Sequence, residues 1–139
     1  MNSNQICSAL KRISIFKGVY ARDNLPQSFK KPAAFIVNTD SEKEKGEHWV
    51  AFVVTNVTVE YFDPLGFPPF DKNFQNFIKQ HTKKKYYYNC KTIQNPESTK
   101  CGKYCIEFIK HRACRRSLRS FINKFSRNTI CNDKIIVKL

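Results

Sequence analysis

His48-Trp49-Val50-Ala51-Phe52-Val53-Val54-Thr55-Asn56-Val57-Thr58-Val59-Glu60-Tyr61-Phe62-Asp63 decides how this chain folds. Two runs rich in β-branched and aromatic residues, 48–54 and 57–62, flank Thr55-Asn56. Branched and aromatic side chains pack well on a pleated surface, and the polar pair between the runs turns the chain. The stretch therefore predicts a hairpin. In an antiparallel pair the end of the second strand returns beside the start of the first. That brings Asp63 beside His48 at one sheet edge, where a carboxylate can hold an imidazole ring. Asp63 also precedes Pro64, which a turn-forming aspartate favours with no catalytic role at all.

Working outward, Ala33-Ala34-Phe35-Ile36-Val37 is uniformly apolar and predicts a short strand buried on both faces. Further upstream, Ser3 is expected to cap a helix over residues 4–15, with Ile6, Leu10 and Ile13 on one face and Gly18 ending it. Residues 20–32 hold two prolines and read as loop. Downstream, Asp63-Pro64-Leu65-Gly66-Phe67-Pro68-Pro69 breaks the sheet. Asp71 then caps a helix bearing Phe74, Phe77 and Ile78. Tyr86 to Ile93 reads as another strand, and Gly102 to about Arg112 as a helix. Ser117 caps a further helix with Leu118, Phe121, Ile122 and Phe125 inward. Residues 128–139 fit a helix or an edge strand equally. No repeat or linker divides the chain, so residues 1–139 are expected to form one domain. Its class is α+β: a small mixed β-sheet with flanking helices.

The second informative stretch is Gln94-Asn95-Pro96-Glu97-Ser98-Thr99-Lys100-Cys101-Gly102-Lys103-Tyr104-Cys105. A polar loop runs into Cys101, and the apolar residues Tyr104, Cys105, Phe108 and Ile109 then recur at helical spacing. Cys101 thus stands at a helix start, where free N–H groups and the dipole favour a thiolate. A buried structural cysteine is the other reading. Gly102 leaves room for a substrate backbone to approach. A thiolate nucleophile needs a base, a group that orients the base, and oxyanion donors. His48 with Asp63 can supply the first two. Gln94, at the end of the preceding strand, offers a side-chain amide; a solvent-facing loop glutamine is its alternative. His81 and His111 lie among basic residues and are expected at the surface. Cys90, Cys101, Cys105, His111 and Cys114 are zinc-ligand types, but their spacing matches no paired knuckle and no metal is expected.

The net charge of +14 exceeds what solubility needs and points to a polyanion partner, nucleic acid first. Lys83, Lys84, Lys85, Arg112, Arg115, Arg116 and Arg119 are the candidate contacts, the four arginines forming one stripe if a helix runs through them. No base-reading motif accompanies them, so binding is expected to ignore sequence. A merely solvated basic face is the competing reading. Residues 1–5 carry no basic-then-apolar leader, and no apolar run is long enough to span a bilayer. The six cysteines are therefore expected reduced, inside a cell.

Phe16-Lys17-Gly18-Val19-Tyr20, Phe35-Ile36-Val37-Asn38-Thr39, Gly46-Glu47-His48-Trp49, Tyr61-Phe62-Asp63-Pro64-Leu65-Gly66-Phe67 and Gln94 through Cys105 together resemble the adenovirus maturation proteases, the adenain family. The order His, acid, Gln, Cys is shared with proteases of ubiquitin-like proteins. The resemblance implies a cysteine endopeptidase with a Cys101–His48–Asp63 triad and Gln94 in the oxyanion hole. It implies a cleft shaped by Gly46, Glu47, Trp49 and Gly102 that favours glycine near the cut. It further implies precursor capsid and core proteins as substrates, with DNA and a short viral peptide as cofactors. Cys90 falls near the family's peptide-linking cysteine. Aspartate replaces the family's glutamate at Asp63, and the segments before Gln94 and at the C-terminus are shorter. Another DNA virus or a Polinton-type element fits these departures. The expected setting is the virion and the host nucleus or cytoplasm, as a monomer with no membrane partner and no small-molecule cofactor. A protease of ubiquitin-like modifiers and a non-catalytic DNA-binding protein are the alternatives.

Overall fold

The apolar run at residues 33–37 becomes a central strand of the computed structural model, which describes residues 1–44, 48–82 and 84–139. The elements follow in the order α1 (Ser3–Leu10), β1 (Phe16–Ala21), β2 (Ala33–Asn38), β3 (Trp49–Val54), β4 (Val59–Phe62), α2 (Lys72–His81), β5 (Tyr86–Tyr88), α3 (Cys101–Ala113), α4 (Leu118–Ile122) and α5 (Thr129–Ile136). The strands form one five-stranded sheet in chain order. β1–β2 and β4–β5 are parallel, and β2–β3 and β3–β4 antiparallel, so the sheet is mixed and the fold α+β. The proposed substrate contacts Gly46 and Glu47, and the basic Lys83, lie outside the described residues.

Alternation along the inner strands splits the core into two layers. Ala34, Ile36, Ala51, Val53 and Phe62 face α1, α3, α4 and α5. Ala33, Phe35, Val37, Val50, Phe52, Val59 and Tyr61 face α2 through Phe74, Phe77 and Ile78. Covering the sheet on both faces is why β2 and β3 read as continuous apolar runs. In the first layer Phe62 stacks on Phe108 at 4.6 Å, with Phe121 edge-on at 5.6 Å. Truncating such a buried ring to alanine costs about 3–5 kcal/mol. Among the described residues no helix is long and apolar enough to cross a membrane.

Several expectations are corrected. Asn2, not Ser3, caps α1: its side chain accepts from the Gln5 N–H while Gln5 returns the bond, and the helix ends at Leu10. Gly18 does not end that helix. It sits in β1 at φ +141°, where the register with β2 slips, a backbone that a side chain resists. β1 was missed because half-buried residues hide its alternation, and its pairing partner lies across the loop of residues 22–32. The second hairpin strand starts at Val59 rather than Val57. The strand expected over 86–93 keeps only Tyr86–Tyr88. Asp71 and Ser117 cap their helices as expected, each accepting a backbone N–H. The tail is a helix, capped by Asn128.

The arginine stripe does not form. α3 ends at Ala113, Arg115 adopts φ +62°, and α4 starts afresh at Leu118. Arg112 turns instead onto Glu60, Nε to Oε1 2.7 Å, and donates to the Arg116 carbonyl. His111 is buried rather than exposed, its Nε2 2.7 Å from Ser120 Oγ. His81 is half-buried against Phe29 and Phe77.

Candidate active site

The hairpin delivers its two polar ends together. His48 lies just before β3, and Asp63 just after β4, with Ala51 paired to Phe62. His48 Nε2 donates to Asp63 Oδ1 at 2.7 Å. Asp63 is 3% exposed and is gripped from several sides. Asp63-Pro64-Leu65-Gly66 closes a turn, with Gly66 N–H on the Asp63 carbonyl and Leu65 N–H on Oδ1 at 2.8 Å each. Gly66, at φ +79°, abuts the backbone of Lys91 and Thr92 so closely that a Cβ would sit 2.8 Å from it. The turn also accepts the Ile93 and Gln94 N–H groups on the Pro64 carbonyl, tying the loop before Cys101 to the Asp63 turn.

Sequence reading missed Asn89. It is buried directly after β5, and its side chain makes a reciprocal pair with the Asp63 backbone: Asp63 N–H to Oδ1 at 3.0 Å and Nδ2 to the Asp63 carbonyl at 2.6 Å. An asparagine between Tyr88 and Cys90 carries no sequence signal for that role. Only the parallel β4–β5 pairing brings it there.

Cys101 is the first residue of α3, and Lys100 before it supplies no side-chain cap. The N–H groups of that first turn therefore keep donor capacity at the thiol. At 8% exposure the thiol is more buried than a helix start suggests. Burial opposes its ionisation, yet its pKa is lowered overall by hydrogen bonding to His48, by the backbone at Trp49 and Gly102, and by the charge of His48. Burial likewise opposes charge on His48, but Asp63 and Cys101 outweigh it and raise its pKa to about 9. With Nε2 held by Asp63, Nδ1 is the nitrogen left for the thiol. Opposite shifts on neighbouring groups favour a thiolate–imidazolium pair. Cys105, one turn on, is fully buried with its pKa pushed well up, and its thiol donates to the Trp49 carbonyl at 3.4 Å.

Gln94 is 2% exposed, not solvent-facing. Its Nε2 donates to the Ser98 carbonyl at 3.0 Å, and its buried Oε1 has no partner among the described residues. Gln94, His48, Trp49 and Cys101 all line one cleft of about 720 Å³, with Met1, Tyr20, Leu65 and Ser98 among its other walls. Trp49 donates its indole N–H to the Met1 carbonyl at 3.0 Å. A Cβ at Gly102 would press within 3.3 Å of Trp49 and 3.1 Å of Met1, which would have to give way by a few tenths of an ångström. The tail helix secures the loop from behind. Asn132 donates to the Ile93 carbonyl at 3.0 Å, and Asp133 accepts from Asn95 N–H at 3.3 Å and Tyr104 OH at 2.8 Å. Among the described residues no group of three or more His, Cys, Asp or Glu side chains is arranged to hold a metal.

Lys84, Lys85, Arg115, Arg116 and Arg119 are exposed and lie away from this cleft's walls. Cys90 is also exposed.

Residues 16–132 match the family described as adenovirus endoprotease. The chain is similar to a protease of Porcine adenovirus A serotype 3, with 29% identity over 89 residues, covering 53% of this chain and 44% of that protein. The chain thus spans less than half the length of that curated relative. Its fold is similar to a crystal structure of the ASFV pS273R protease, at TM-score 0.66 and 19% identity, covering 94% of this chain and 63% of that one. A second, selenomethionine structure of the same ASFV protease matches at TM-score 0.54 and 23% identity, over 70% of this chain and 41% of the other.

Proposed function

Because the chain belongs to the adenovirus endoprotease family, we propose that it is a cysteine endopeptidase that cuts viral precursor proteins at glycine-containing sites. The observation that carries this reading is the His48 ring, fixed by Asp63 at 2.7 Å and lining one cleft with Cys101, whose thiol pKa it helps to lower.

The Cys101 thiolate attacks the scissile carbonyl carbon, and the carbonyl π electrons move to oxygen. The oxyanion meets the Cys101 backbone N–H and the Gln94 side-chain amide, whose Nε2 rests on the Ser98 carbonyl at 3.0 Å and the Ser98 hydroxyl at 3.4 Å and gives up the longer bond. As the C–N bond breaks, the His48 imidazolium passes a proton to the leaving amine. Neutral His48 then takes a proton from water, whose oxygen attacks the thioester and releases the acid. Asp63 stabilises the imidazolium and holds the ring. The Trp49 indole, which walls the cleft beside His48 and Cys101, supports a preference for residues without a side chain at the cut.

Nucleic-acid binding without sequence preference belongs to the same proposal, supported by the +14 charge and by exposed Lys84, Lys85, Arg115, Arg116 and Arg119. So does attachment of an activating peptide at exposed Cys90, and action in the virion or the infected cell. Arg112 is left out, since Glu60 already neutralises it.

The test is labelling by a peptidyl electrophile ending in Gly-Gly, mapped by mass spectrometry. Modification is expected at Cys101 alone and lost in His48→Ala. Labelling that is indifferent to His48 would sink the assignment. Cleavage of a modifier precursor, but not of capsid precursors, would move the substrate class to ubiquitin-like proteins.

A further inference from the structure

β5 is the last strand of the sheet, paired on one side to β4 and open on the other. Its three residues are all tyrosines, and Tyr86, Tyr87 and Tyr88 are 40%, 52% and 41% exposed. Three consecutive large rings left in water mark a contact surface more readily than a packing element. Tyr86 and Tyr88 stack on each other along the strand, with ring centroids 6.0 Å apart and planes within 27°, and each remains part-exposed to solvent. A groove of about 330 Å³ opens beside Tyr86, and among the described residues the charged ones in its wall are Lys79 and Lys84, with no acid. Tyr87 and Tyr88 both line a second groove, with Lys91 and Arg119. Among the described residues the one carboxylate there, Glu60, is engaged by Arg112. None of these residues borders the cleft that holds Cys101.

Aromatic rings interleaved with cations suit a ligand that has both flat faces and a regular negative backbone. We propose that the β5 edge binds single-stranded nucleic acid, with bases stacked on Tyr86 and Tyr88 and phosphates along Lys79 and Lys84. Every base has a π-face, so such a platform tolerates any sequence. In a duplex those faces are covered by neighbouring base pairs, so this edge discriminates by strandedness. An extended peptide could use the open backbone edge as well, but two flanking lysines without a carboxylate favour the polyanion. The inference rests on the reading of the chain as a polyanion binder and narrows it to a place and a form of nucleic acid.

The experiment titrates the full chain with a labelled oligothymidylate and with an unrelated duplex at one salt concentration. Replacing both tyrosines, Tyr86→Ala with Tyr88→Ala, is expected to weaken oligothymidylate binding roughly 10- to 100-fold, as loss of base stacking does. Tyr86→Phe with Tyr88→Phe keeps the rings and should keep the affinity, and duplex binding should barely change in either. Crosslinking of iodouracil-substituted oligonucleotide to the unaltered chain should map to Tyr86 or Tyr88. Crosslinks confined to other segments, or equal losses on both nucleic acids, overturn the platform. Unchanged oligothymidylate affinity in the alanine pair overturns this site and leaves the polyanion reading standing. No binding of either nucleic acid overturns both.

Discussion

At the scale of single residues, the pairing of His48 with Asp63 makes a pH prediction whose sign can be worked out. His48 has its pKa raised from the usual 6.5 to about 9, and Cys101 has its own lowered. The ion pair therefore exists between the lowered thiol value and about pH 9. A profile of kcat/KM against pH should rise through the first and fall through the second. The stability that His48 gains from being charged is fully present below its unfolded pKa and is lost as pH rises through about 9. Asp63→Asn removes the carboxylate that supports the charge, so the alkaline limb should move to lower pH as the rate falls. An alkaline limb that stays in place would separate Asp63 from the base. Gln94→Ala should cost roughly 10²–10³-fold in kcat with KM little changed, the usual price of one oxyanion donor; a change in KM alone would make it a subsite residue. Cys101→Ala should abolish cleavage, whereas Cys105→Ala should keep it and lose about 1 kcal/mol of stability, since its thiol is sealed in the core. Asn89 touches no reacting atom and acts through Asp63. Asn89→Ala should lower kcat about 10- to 100-fold with KM held and shift the alkaline limb, because a small displacement of the acid is felt at the base. Asn89→Asp, which still accepts the Asp63 N–H but sets a carboxylate oxygen against the Asp63 carbonyl, should lose as much as Asn89→Ala.

At the scale of elements, the tail helix α5 has a role no local pattern announces. Asn132 is fully buried and spans the Ile93 carbonyl, the Ser126 carbonyl and the Ser126 N–H. Asn132→Leu leaves the Ser126 carbonyl and N–H without this partner, at about 1–3 kcal/mol each, and the Ile93 carbonyl with the Tyr104 hydroxyl alone. Urea unfolding should show the loss. Cleavage should fall further than stability alone explains, because the loop that carries Gln94 and leads to Cys101 loses its rear support. Activity that tracks only the folded fraction would deny α5 any part in positioning. The break between α3 and α4 matters in the same way. It turns Arg112 inward and splits the four arginines, so charge reversal at Arg112 is expected to destabilise the fold through Glu60 rather than weaken polyanion binding.

At the scale of the whole molecule, the charge of +14 is a long-range property that no single element owns. Each phosphate neutralised releases counterions, so log affinity for duplex DNA should fall linearly with log salt, by about 0.9 per contact. Reversing Lys84, Lys85 and Arg116 together should flatten that slope and weaken all sequences alike. A salt-independent affinity, measured by titration at several salt concentrations, would return the charge to a solvated surface.

The hairpin, the buried strand β2, the helix beginning at Cys101 and the meeting of His48 with Asp63 were legible in the sequence. Each follows from local periodicity, or from the geometry of two adjacent strands, which turn chemistry and side-chain branching already specify. The residues of the proposed site could be named for the same reason: hairpin return and helix start are short-range facts. β1, the clamp of Asn89 on Asp63, the burial of His111 and Gln94, and the support from α5 were not legible. They arise where segments far apart in the chain are brought together by burial of shared apolar faces, and a polar residue's partner is then set by which backbone the sheet carries past it. Only the tertiary structure decided those contacts, because their free energy comes from desolvation and pairing across the fold, which no window of sequence contains.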